Sequence, residues 1–401
     1  MKIGIVRETK TPPDRRVPLT PDHCKELLSK YNELEIFVQP DEYRAFSNEE
    51  YIAAGIQLKD DLSDCDVLMG VKEVEISQLI PEKTYFFFSH TAKKQPYNRE
   101  LLRAVIERDI RLVDYEYLTS DDNVRLVAFG VWAGIVGAYN GLKAYGERTQ
   151  SFTIKPAWKC RDKSELFEEL KKINPGNLKI VITGGGRVAQ GAMEILSAAG
   201  FKKNSPEEFL NADTESPVYT QLDPWYYVKR LDGQNFELLH FFNFPEEYET
   251  TFLPYTRIAD IFIPCHFWDP RSPVFMTGED MKQSDFKIKV IADVSCDIEG
   301  PIPSTLRSSS IAEPIYGYNA EDGMEGEPFA PENITVMAVD NLPGELPRDA
   351  SKDFGNRLVT EVIPFLVGEK EGKLIQAATI AEKGKLGSNY SYLEDYLKGL
   401  E

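Results

Sequence analysis

Basic side chains stand at the ends of three short apolar runs near the start of the chain: Arg7, Lys72 and His90. If the runs are parallel strands, these side chains project from the carboxyl edge of one sheet, where α/β proteins bind ligands. Together they could clamp a carboxylate and supply a general acid and a general base. For any one of them an ordinary exposed charge is the simpler interpretation. Their recurrence at three strand ends favours a functional site.

A glycine-rich segment over 184–189 is the second feature that could do chemistry. It has the pattern GxGxxA, after an apolar run and before an amphipathic one. Gly184 permits a tight turn, Gly186 lets the backbone approach a pyrophosphate, and Ala189 allows close helix–strand packing. The next helix would offer free N–H groups to the phosphates. This context predicts an NAD or NADP site, and a glycine-rich turn without a cofactor is the alternative.

Dinucleotide-binding sites with this glycine pattern also have an acidic residue at the end of the next strand, about 20 residues further on. Glu207 and Asp223 are both candidates. Because that strand is hard to recognise in the sequence, the choice between NAD and NADP stays open.

The other histidines carry weaker signals. His266 follows an apolar run that ends near Cys265, and it could line the cofactor side. His23 lies in a predicted helix and His240 in a polar insertion, so a structural role is expected for both. The chain has no HExxH motif and no Cys/His cluster, so no metal site is predicted. It also lacks the GxSxG motif of serine hydrolases.

These candidate residues require a framework of alternating strands and helices. In the first part, strands are predicted over 2–6, 35–39, 66–71, 84–89 and 111–117, and helices over 21–30 and 98–108. The alternation restarts after an amphipathic stretch over 163–173, with strands over 179–183, 259–264, 288–294 and 334–339. Such a βαβ rhythm predicts an α/β fold with mostly parallel sheets covered by helices.

Three segments are less regular. Small residues recur at helical spacing over 126–145, which predicts a buried helix, either linking two domains or belonging to one core. The polar, aromatic-rich insertion 199–256 has no clear period, and its structure is left open. The tail is predicted to be helical over 350–366, with Pro364 bending or ending the helix.

Composition limits the class of protein. The chain has 401 residues, 42% of them hydrophobic, and a formal charge of −19. This length predicts two or three domains, and the acidic excess argues against a nucleic-acid partner. No apolar run is long enough to span a membrane, and the N-terminus lacks the pattern of a signal peptide. The five cysteines are scattered and fit a reducing compartment, so we expect a cytoplasmic protein.

Several motifs occur in an order that resembles one enzyme superfamily. They lie at 7–10 (RETK), 16–21 (RVPLTP), 70–73 (GVKE), 88–93 (FSHTAK), 113–116 (VDYE), 127–134 (VAFGVWAG), 292–297 (ADVSCD) and 339–348 (VDNLPGELPR). In this order they resemble the alanine dehydrogenases and the lysine-forming saccharopine dehydrogenases. The chain is most similar to the lysine–ketoglutarate reductase half of the bifunctional aminoadipic semialdehyde synthases. The resemblance covers nearly the whole chain except the insertion and the extreme C-terminus.

The resemblance implies two Rossmann-like domains with a deep interdomain cleft. Residues 129–345 would form the dinucleotide-binding domain, and residues 1–128 with 346–401 the substrate domain. A homo-oligomer is possible in this family. The implied partners are a small amino acid and a 2-oxo acid, with no nucleic acid and no membrane.

The resemblance also implies roles for individual residues. Lys72 and His90 would be the acid–base pair, and Arg16 would hold a substrate carboxylate. Lys93 and Asp340 would form an ion pair that tunes the site. Other positions would line the substrate (Arg7, Glu73, Glu116) or the cofactor (Gly184, Gly186, Arg187, Val188, Ala189, Cys265, Asp293, Ser295, Asp297).

The implied reaction is hydride transfer at a C–N bond, with saccharopine giving lysine and 2-oxoglutarate, or the reverse. Two alternatives remain at this point. One is an oxidative deaminase of the alanine dehydrogenase kind, and the other is a nucleotide-binding protein without turnover.

Overall fold

The chain forms two compact units. The structure is a computed structural model, which describes residues 1–11, 13–211 and 215–400. The first unit comprises Met1–Phe129 and Pro347–Glu401, and the second comprises Gly130–Leu346. The polypeptide therefore leaves the first unit, builds the second, and returns.

The strands of the described residues follow in chain order. They are β1 (Lys2–Ile5), β2 (Glu35–Val38), β3 (Gln57–Leu58), β4 (Val67–Met69), β5 (Thr84–Phe87), β6 (Arg111–Asp114), β7 (Lys179–Thr183), β8 (Lys202–Lys203), β9 (Val218–Leu222), β10 (Val228–Arg230), β11 (Tyr248–Thr250), β12 (Ile261–Pro264), β13 (Val290–Ala292), β14 (Ile315–Asn319), β15 (Met324–Gly326), β16 (Asn333–Met337), β17 (Thr379–Glu382) and β18 (Lys385–Leu386).

The α-helices of the same residues connect them. They are α1 (Pro21–Lys30), α2 (Asn48–Ala53), α3 (Arg99–Glu107), α4 (Gly130–Thr149), α5 (Lys163–Leu170), α6 (Arg187–Ala198), α7 (Pro206–Leu210), α8 (Pro224–Tyr227), α9 (Leu238–Asn243), α10 (Leu253–Thr256), α11 (Gly278–Met281), α12 (Pro347–Arg357), α13 (Ile363–Leu366), α14 (Leu374–Ala377) and α15 (Glu394–Lys398).

The sheet of the first unit has the strand order β18-β17-β6-β5-β4-β1-β2-β3. Strands β1 to β6 are parallel, and β17 runs antiparallel to β6. The parallel part has the order 3-2-1-4-5-6 of doubly wound Rossmann folds. Strand order reverses between β1 and β4, which pair side by side with Ile5 opposite Met69. Ligands bind at such a reversal, beyond the carboxyl ends of the strands.

The second unit repeats this architecture with the order β15-β14-β16-β13-β12-β7-β9-β8. Strands β8, β9, β7, β12, β13 and β16 are parallel, and β14 and β15 form an antiparallel edge. Strand β7 lies between β9 and β12, so the order reverses next to the glycine-rich turn. The predicted α/β class with two Rossmann-like units is confirmed.

Helix α4 is a core helix of the second unit, as one of the two sequence interpretations predicted. It packs on α6 at two glycines. A Cβ on Gly134 would lie 1.8 Å from the Val188 carbonyl oxygen, and one on Gly191 would lie 2.0 Å from that of Val131. Only glycine allows this approach, so the small residues bring the helix axes together.

The structure defines two segments that the sequence left open or described only in part, the insertion and the tail. The insertion contains β8–β11 and α7–α10, and it includes β9, which the sequence did not reveal because its flanks are polar and aromatic-rich. The tail is helical over the predicted range 350–366, and beyond that range it also forms β17 and β18. Its long helix breaks at a π-helical turn, Leu358–Val362, just before Pro364. Proline cannot donate to the preceding turn, which explains the break.

Within the described residues, none of the helices is long and apolar enough to cross a membrane.

Candidate active site

Glu73 lies at the centre of a charged cluster at the ends of β4 and β5. Its Oε1 accepts a hydrogen bond from His90 Nδ1 at 3.1 Å, and its Oε2 lies 2.7 Å from Lys10 Nζ. Burial raises the pKa of this carboxyl, but the bonds from His90 and Lys10 outweigh burial and hold the pKa at about 2. Glu73 is therefore a fixed negative charge that orients the His90 ring.

Lys72 precedes Glu73, and both positively and negatively charged side chains lie near it. Burial, and then the positive charge of Arg16, lower the pKa of Lys72 below the ordinary lysine value, against the opposing effect of Asp14 and Glu73. A lysine with a lowered pKa gives up its proton more readily than an exposed lysine does.

Glu8 holds the backbone at Lys72. It follows β1, and its two oxygens accept hydrogen bonds from the backbone N–H groups of Val71 and Lys72 at 2.6 and 2.9 Å. Burial, with the nearby charge of Asp14, raises the pKa of Glu8 to about 8. The carboxyl ties the ends of the adjacent strands β1 and β4 together, so the position of Lys72 depends on it.

Arg16 is buried and forms a bidentate pair with Asp14. Its Nε and Nη2 donate to the two Asp14 oxygens at 2.9 and 2.6 Å. Burial raises the pKa of Asp14, but the charge and hydrogen bonds of Arg16 dominate and hold it well below its usual range. The guanidinium lies 4.2 Å from the centre of the Phe129 ring, which stacks on Phe354 of α12. The returning C-terminal segment thus supports the arginine.

His90 adopts a left-handed backbone conformation, with φ of 53°. Asp114, at the end of β6, accepts hydrogen bonds from the Ser89 N–H at 2.9 Å and the Ser89 hydroxyl at 2.6 Å. The Ser89 hydroxyl also lies 2.8 Å from that of Thr91. The residues on both sides of His90 are thereby fixed to β6, which accounts for a conformation that few non-glycine residues adopt.

Two other predicted residues lie nearby in the chain but have different partners. Lys93 pairs with Glu116 at 3.1 Å, and Arg125 also pairs with Glu116. Arg7 is exposed, and its guanidinium faces Asp60 at 3.8 Å. The first unit thus brings Lys72, Glu73 and His90 together, whereas Arg7 points elsewhere.

The glycine-rich turn has the geometry expected for a dinucleotide site. Gly184 has a φ of 92°, and a Cβ there would lie 2.7 Å from the Cys265 carbonyl oxygen. At Gly186, the N-cap of α6, a Cβ would meet nothing within 4 Å. The backbone is therefore open to an approaching group beside a helix N-terminus, which fits a pyrophosphate. Ala189 is fully buried against the sheet, and Arg187 and Val188 begin the helix.

Asp223 occupies the acidic position that the sequence left open. It directly follows β9, the strand beside β7, and its Oδ1 would lie 2.3 Å from a Cβ on Gly185. Glu207 lies on α7 instead. Asp223 was hard to recognise in the sequence because β8 and α7 lengthen the spacing between the glycine-rich turn and the acidic residue. A search for any short β-rich run before an acidic residue would have found it.

Asp293 shapes the loop after β13, and its predicted contact with a cofactor stays a prediction. Its Oδ1 accepts from the Ser295 N–H, the Ser295 hydroxyl and the Cys296 N–H, and its Oδ2 accepts from Thr305 at 2.6 Å. Both oxygens are thus used to shape the loop after β13. Asp297 follows in the same loop, and burial raises its pKa to about 6.

The remaining predicted positions of the second unit are at strand ends. The Cys265 thiol is buried, so its backbone rather than its side chain meets the turn. His266 is hydrogen-bonded to Thr183 at 2.7 Å, and burial lowers the pKa of its ring to about 3. Asp340 is exposed after β16. The predicted Lys93–Asp340 pair joins residues of different units and stays a prediction.

Comparisons with known proteins show which sequences and folds this chain is similar to. A family model described as the N-terminal domain of alanine dehydrogenase/PNT matches residues 4–136. The mitochondrial alpha-aminoadipic semialdehyde synthase of Bos taurus is 28% identical over 443 residues, covering 98% of this chain and 47% of that protein. The Arabidopsis thaliana enzyme of the same name is 29% identical, with 98% and 41% covered. This chain therefore spans about half the length of these relatives.

A relative of similar length is the NAD(+), L-lysine-forming saccharopine dehydrogenase of Emericella nidulans. It is 25% identical, with 90% of this chain and 91% of that protein covered. Among solved structures, an L-alanine dehydrogenase covers both chains fully with a TM-score of 0.67 at 18% identity. A transhydrogenase from Sinorhizobium meliloti has a TM-score of 0.58 at 13% identity. These two structures share the fold.

Proposed function

Because this chain belongs to the superfamily of the alanine dehydrogenases and the lysine-forming saccharopine dehydrogenases, we propose that it oxidises or forms the C–N bond of an amino acid with a nicotinamide cofactor. The observation that carries the proposal is the arrangement at the ends of β4 and β5. There Lys72, with its lowered pKa, lies next to Glu73, which in turn orients His90. The first unit is proposed to bind the substrate and the second the dinucleotide.

Lys72 is the proposed base for the oxidative direction. It takes the proton from the substrate amine nitrogen, and a bound nicotinamide would supply the hydride acceptor for the adjacent carbon. His90 is the proposed general base for the water that adds to the resulting imine, and it returns the proton when the C–N bond breaks. The products are an amine and a 2-oxo acid. Glu73 keeps the His90 ring in place throughout.

The proposed substrate is saccharopine, or lysine with 2-oxoglutarate in the reductive direction. Its support is the similarity to semialdehyde synthases over 98% of this chain. Three cationic side chains of the first unit, Lys10, Arg16 and Lys93, each pair with a carboxylate of the chain, so a substrate with several carboxylates would have to compete with these pairs. The alternative is a primary amino acid such as alanine, which the fold shared with L-alanine dehydrogenase favours.

Variants of the acid–base pair test this proposal. Lys72→Met and His90→Gln are each expected to lower the turnover of saccharopine by roughly 100-fold or more, the usual contribution of a positioned acid or base. Dinucleotide affinity, measured by fluorescence titration, should not change. Lys25→Met, on the exposed side of α1, is the control. Unchanged turnover in both site variants would show that these residues do not carry the reaction.

NAD is proposed as the cofactor in preference to NADP. A carboxylate at the end of the strand beside the glycine-rich turn accepts the ribose 2′-hydroxyl and repels a 2′-phosphate. Asp223 stands at that position. Titration with NADH and NADPH should show tighter binding of NADH, and Asp223→Ser should reduce the ratio of the two affinities by about tenfold. Tighter binding of NADPH by the unaltered protein would contradict this assignment.

A further inference from the structure

We propose that Gln221 and His266 are positioning residues, which hold the glycine-rich turn in the shape that receives the pyrophosphate of a dinucleotide. They act from the two strands that flank β7, Gln221 from β9 and His266 from just beyond β12. Neither side chain has to touch the ligand. The inference rests on the proposed dinucleotide site and adds residues that act on this site through the turn.

The turn needs support from outside because three glycines follow one another, Gly184, Gly185 and Gly186. Glycine loses more conformational freedom on folding than any other residue, so a run of three is costly to order. Gly185 has no positive φ, so its backbone conformation does not require glycine. A side chain is excluded there by Asp223, whose Oδ1 would lie 2.3 Å from a Cβ on Gly185. The approach of Asp223 therefore adds a flexible residue to the turn.

Gln221 holds the turn from the side of β9. Its Nε2 donates a hydrogen bond to the Gly184 carbonyl oxygen at 3.2 Å. Lys203 on β8 donates to the Oε1 of the same side chain at 3.4 Å, which orients the amide. The Gly184 N–H donates to the Leu222 carbonyl oxygen at 2.9 Å. Both backbone polar groups of Gly184 are thus bonded to β9, which restricts the rotation of its backbone.

His266 holds the turn from the side of β12. Its Nδ1 lies 2.7 Å from the hydroxyl of Thr183, the residue that precedes the turn. The ring packs against Phe275 with ring centres 4.4 Å apart. Within the part of the chain that the structure describes, its Nε2 has no hydrogen-bond partner, so the ring is held in place by its bond with Thr183. Burial lowers the pKa of the ring to about 3, so the ring is neutral at ordinary pH.

The two side chains thus fix the turn on both of its flanks before a ligand binds. A site that already has its binding conformation loses less binding free energy to ordering. The open backbone at Gly186 and the N–H groups at the start of α6 are then in place for the pyrophosphate. Loss of either side-chain bond should therefore weaken dinucleotide binding, although the atoms that are lost lie outside the site.

Thr183 offers a matched pair of variants for the bond with His266. It is fully buried, so its hydroxyl is not available to a ligand. Thr183→Val keeps the shape and removes the hydroxyl, whereas Thr183→Ser keeps the hydroxyl and removes a methyl group. The affinity for NADH should fall roughly fivefold in Thr183→Val, as expected for one lost hydrogen bond, and stay within about twofold in Thr183→Ser. A residue that only filled space would show the opposite order.

Gln221→Met tests the bond on the other flank. Methionine is similar to glutamine in length but cannot donate to the Gly184 carbonyl oxygen. The affinity for NADH should again fall roughly fivefold. Gln234→Met, at an exposed position of the same unit, is the control and should bind NADH as the unaltered protein does. Because Gln221 is only partly buried, this variant tests the proposal even if Thr183→Val does not fold.

The measurement is a fluorescence titration of the full chain with NADH, with urea unfolding of each variant to show that it is folded. If the unaltered protein binds neither NADH nor NADPH, the proposed function fails and this inference fails with it. If the unaltered protein binds NADH, and the folded variants Thr183→Val and Gln221→Met bind it equally well, the dinucleotide site stands and the two positioning roles are wrong. Weaker binding by Thr183→Ser than by Thr183→Val would also overturn the role of His266.

Discussion

Glu73 sets the electrostatic conditions for the two proposed acid–base residues. It is bonded to His90, and its negative charge raises the pKa of Lys72 against the lowering caused by burial and by Arg16. Its own pKa, about 2, means that it stays charged over the working range of pH. Burial and Arg16, which lower the pKa of Lys72, and Asp14 and Glu73, which raise it, therefore together decide the pH at which Lys72 is neutral and able to accept a proton.

Replacement of Glu73 by glutamine tests this balance. Because the variant lacks the charge that raises the pKa of Lys72, the pH above which kcat/KM for amine oxidation levels off should move to lower pH. The measurement is a pH profile of kcat/KM. Glu75→Gln, at an exposed position two residues on, is the control and should leave the profile in place. A movement to higher pH in Glu73→Gln would contradict the assignment of this limb to Lys72.

At this scale the sequence predicted the residue types better than their partners. Lys72 and His90 are predicted to share one sheet edge with Arg7; Glu73, next to Lys72, bonds to His90, whereas Arg7 faces Asp60 instead. Asp114 was not identified, since a buried aspartate that fixes a turn looks like any other residue at a strand end. Lys93 pairs with Glu116 through a turn whose geometry has no signature in the sequence.

At the scale of elements, the contact between α4 and α6 determines the position of the glycine-rich turn. Helix α6 begins at this turn, and Gly134 of α4 lies against the Val188 carbonyl in its first turn. Two helices that approach this closely leave no space for a side chain. The small residues of α4 therefore affect the glycine-rich turn, the proposed cofactor site, through packing.

A single methyl group at Gly134 tests this packing. Gly134→Ala should lower the free energy of unfolding by about 3 kcal/mol, because its Cβ would lie 1.8 Å from a backbone atom. It should also weaken dinucleotide binding by moving α6. Gly130→Ala is the matched control, since its Cβ would meet the nearest atom at 3.5 Å, an ordinary contact. Equal stabilities of the two variants in urea unfolding would show that α4 can shift without cost.

The strands and helices with strong periodicity were predictable, and those in the insertion were not. Strand β9 is short and lies between polar loops, so it is recognised as a strand only from its pairing with β7. Strand β17 pairs with β6, which is far from it in sequence, and β18 pairs with β17. Such tertiary pairing overrides local preference, and one sequence does not reveal it.

At the scale of the whole molecule, stability should depend on pH through a buried acid in the second unit. Glu345 accepts a hydrogen bond from the Asn140 amide at 2.8 Å and is 2% exposed. Burial raises its pKa to about 7, from an ordinary 4.5. The folded state therefore binds this proton more tightly than the unfolded state, so the free energy of unfolding falls as pH rises from about 4.5 to about 7.

Glu345→Gln removes this titration. Between about pH 5 and pH 8 the unaltered protein should lose about 2–3 kcal/mol relative to the variant, since one pKa unit corresponds to about 1.4 kcal/mol. Urea unfolding at both pH values measures the difference. Glu332→Gln, at an exposed position, should follow the unaltered protein. A difference between Glu345→Gln and the unaltered protein that does not change with pH would indicate that Glu345 is already charged in the fold.

The net charge of the whole molecule is a poor guide to its site. A formal charge of −19 argues against nucleic acid, yet Lys10 and Lys72 lie beside Glu73, and Arg16 is near enough to lower the pKa of Lys72. Composition cannot report such clustering, because it depends on which strand ends meet. Strand order in the sheet, not average charge, therefore determines the local charge of the proposed site.

The central claim is tested most directly by measuring nicotinamide reduction with saccharopine and with alanine, at equal concentrations and with excess NAD. We expect kcat/KM for saccharopine to be at least about tenfold higher than for alanine, and we expect the reaction to be lost in Lys72→Met. Faster oxidation of alanine, or reduction with neither amino acid although NADH binds, would contradict it.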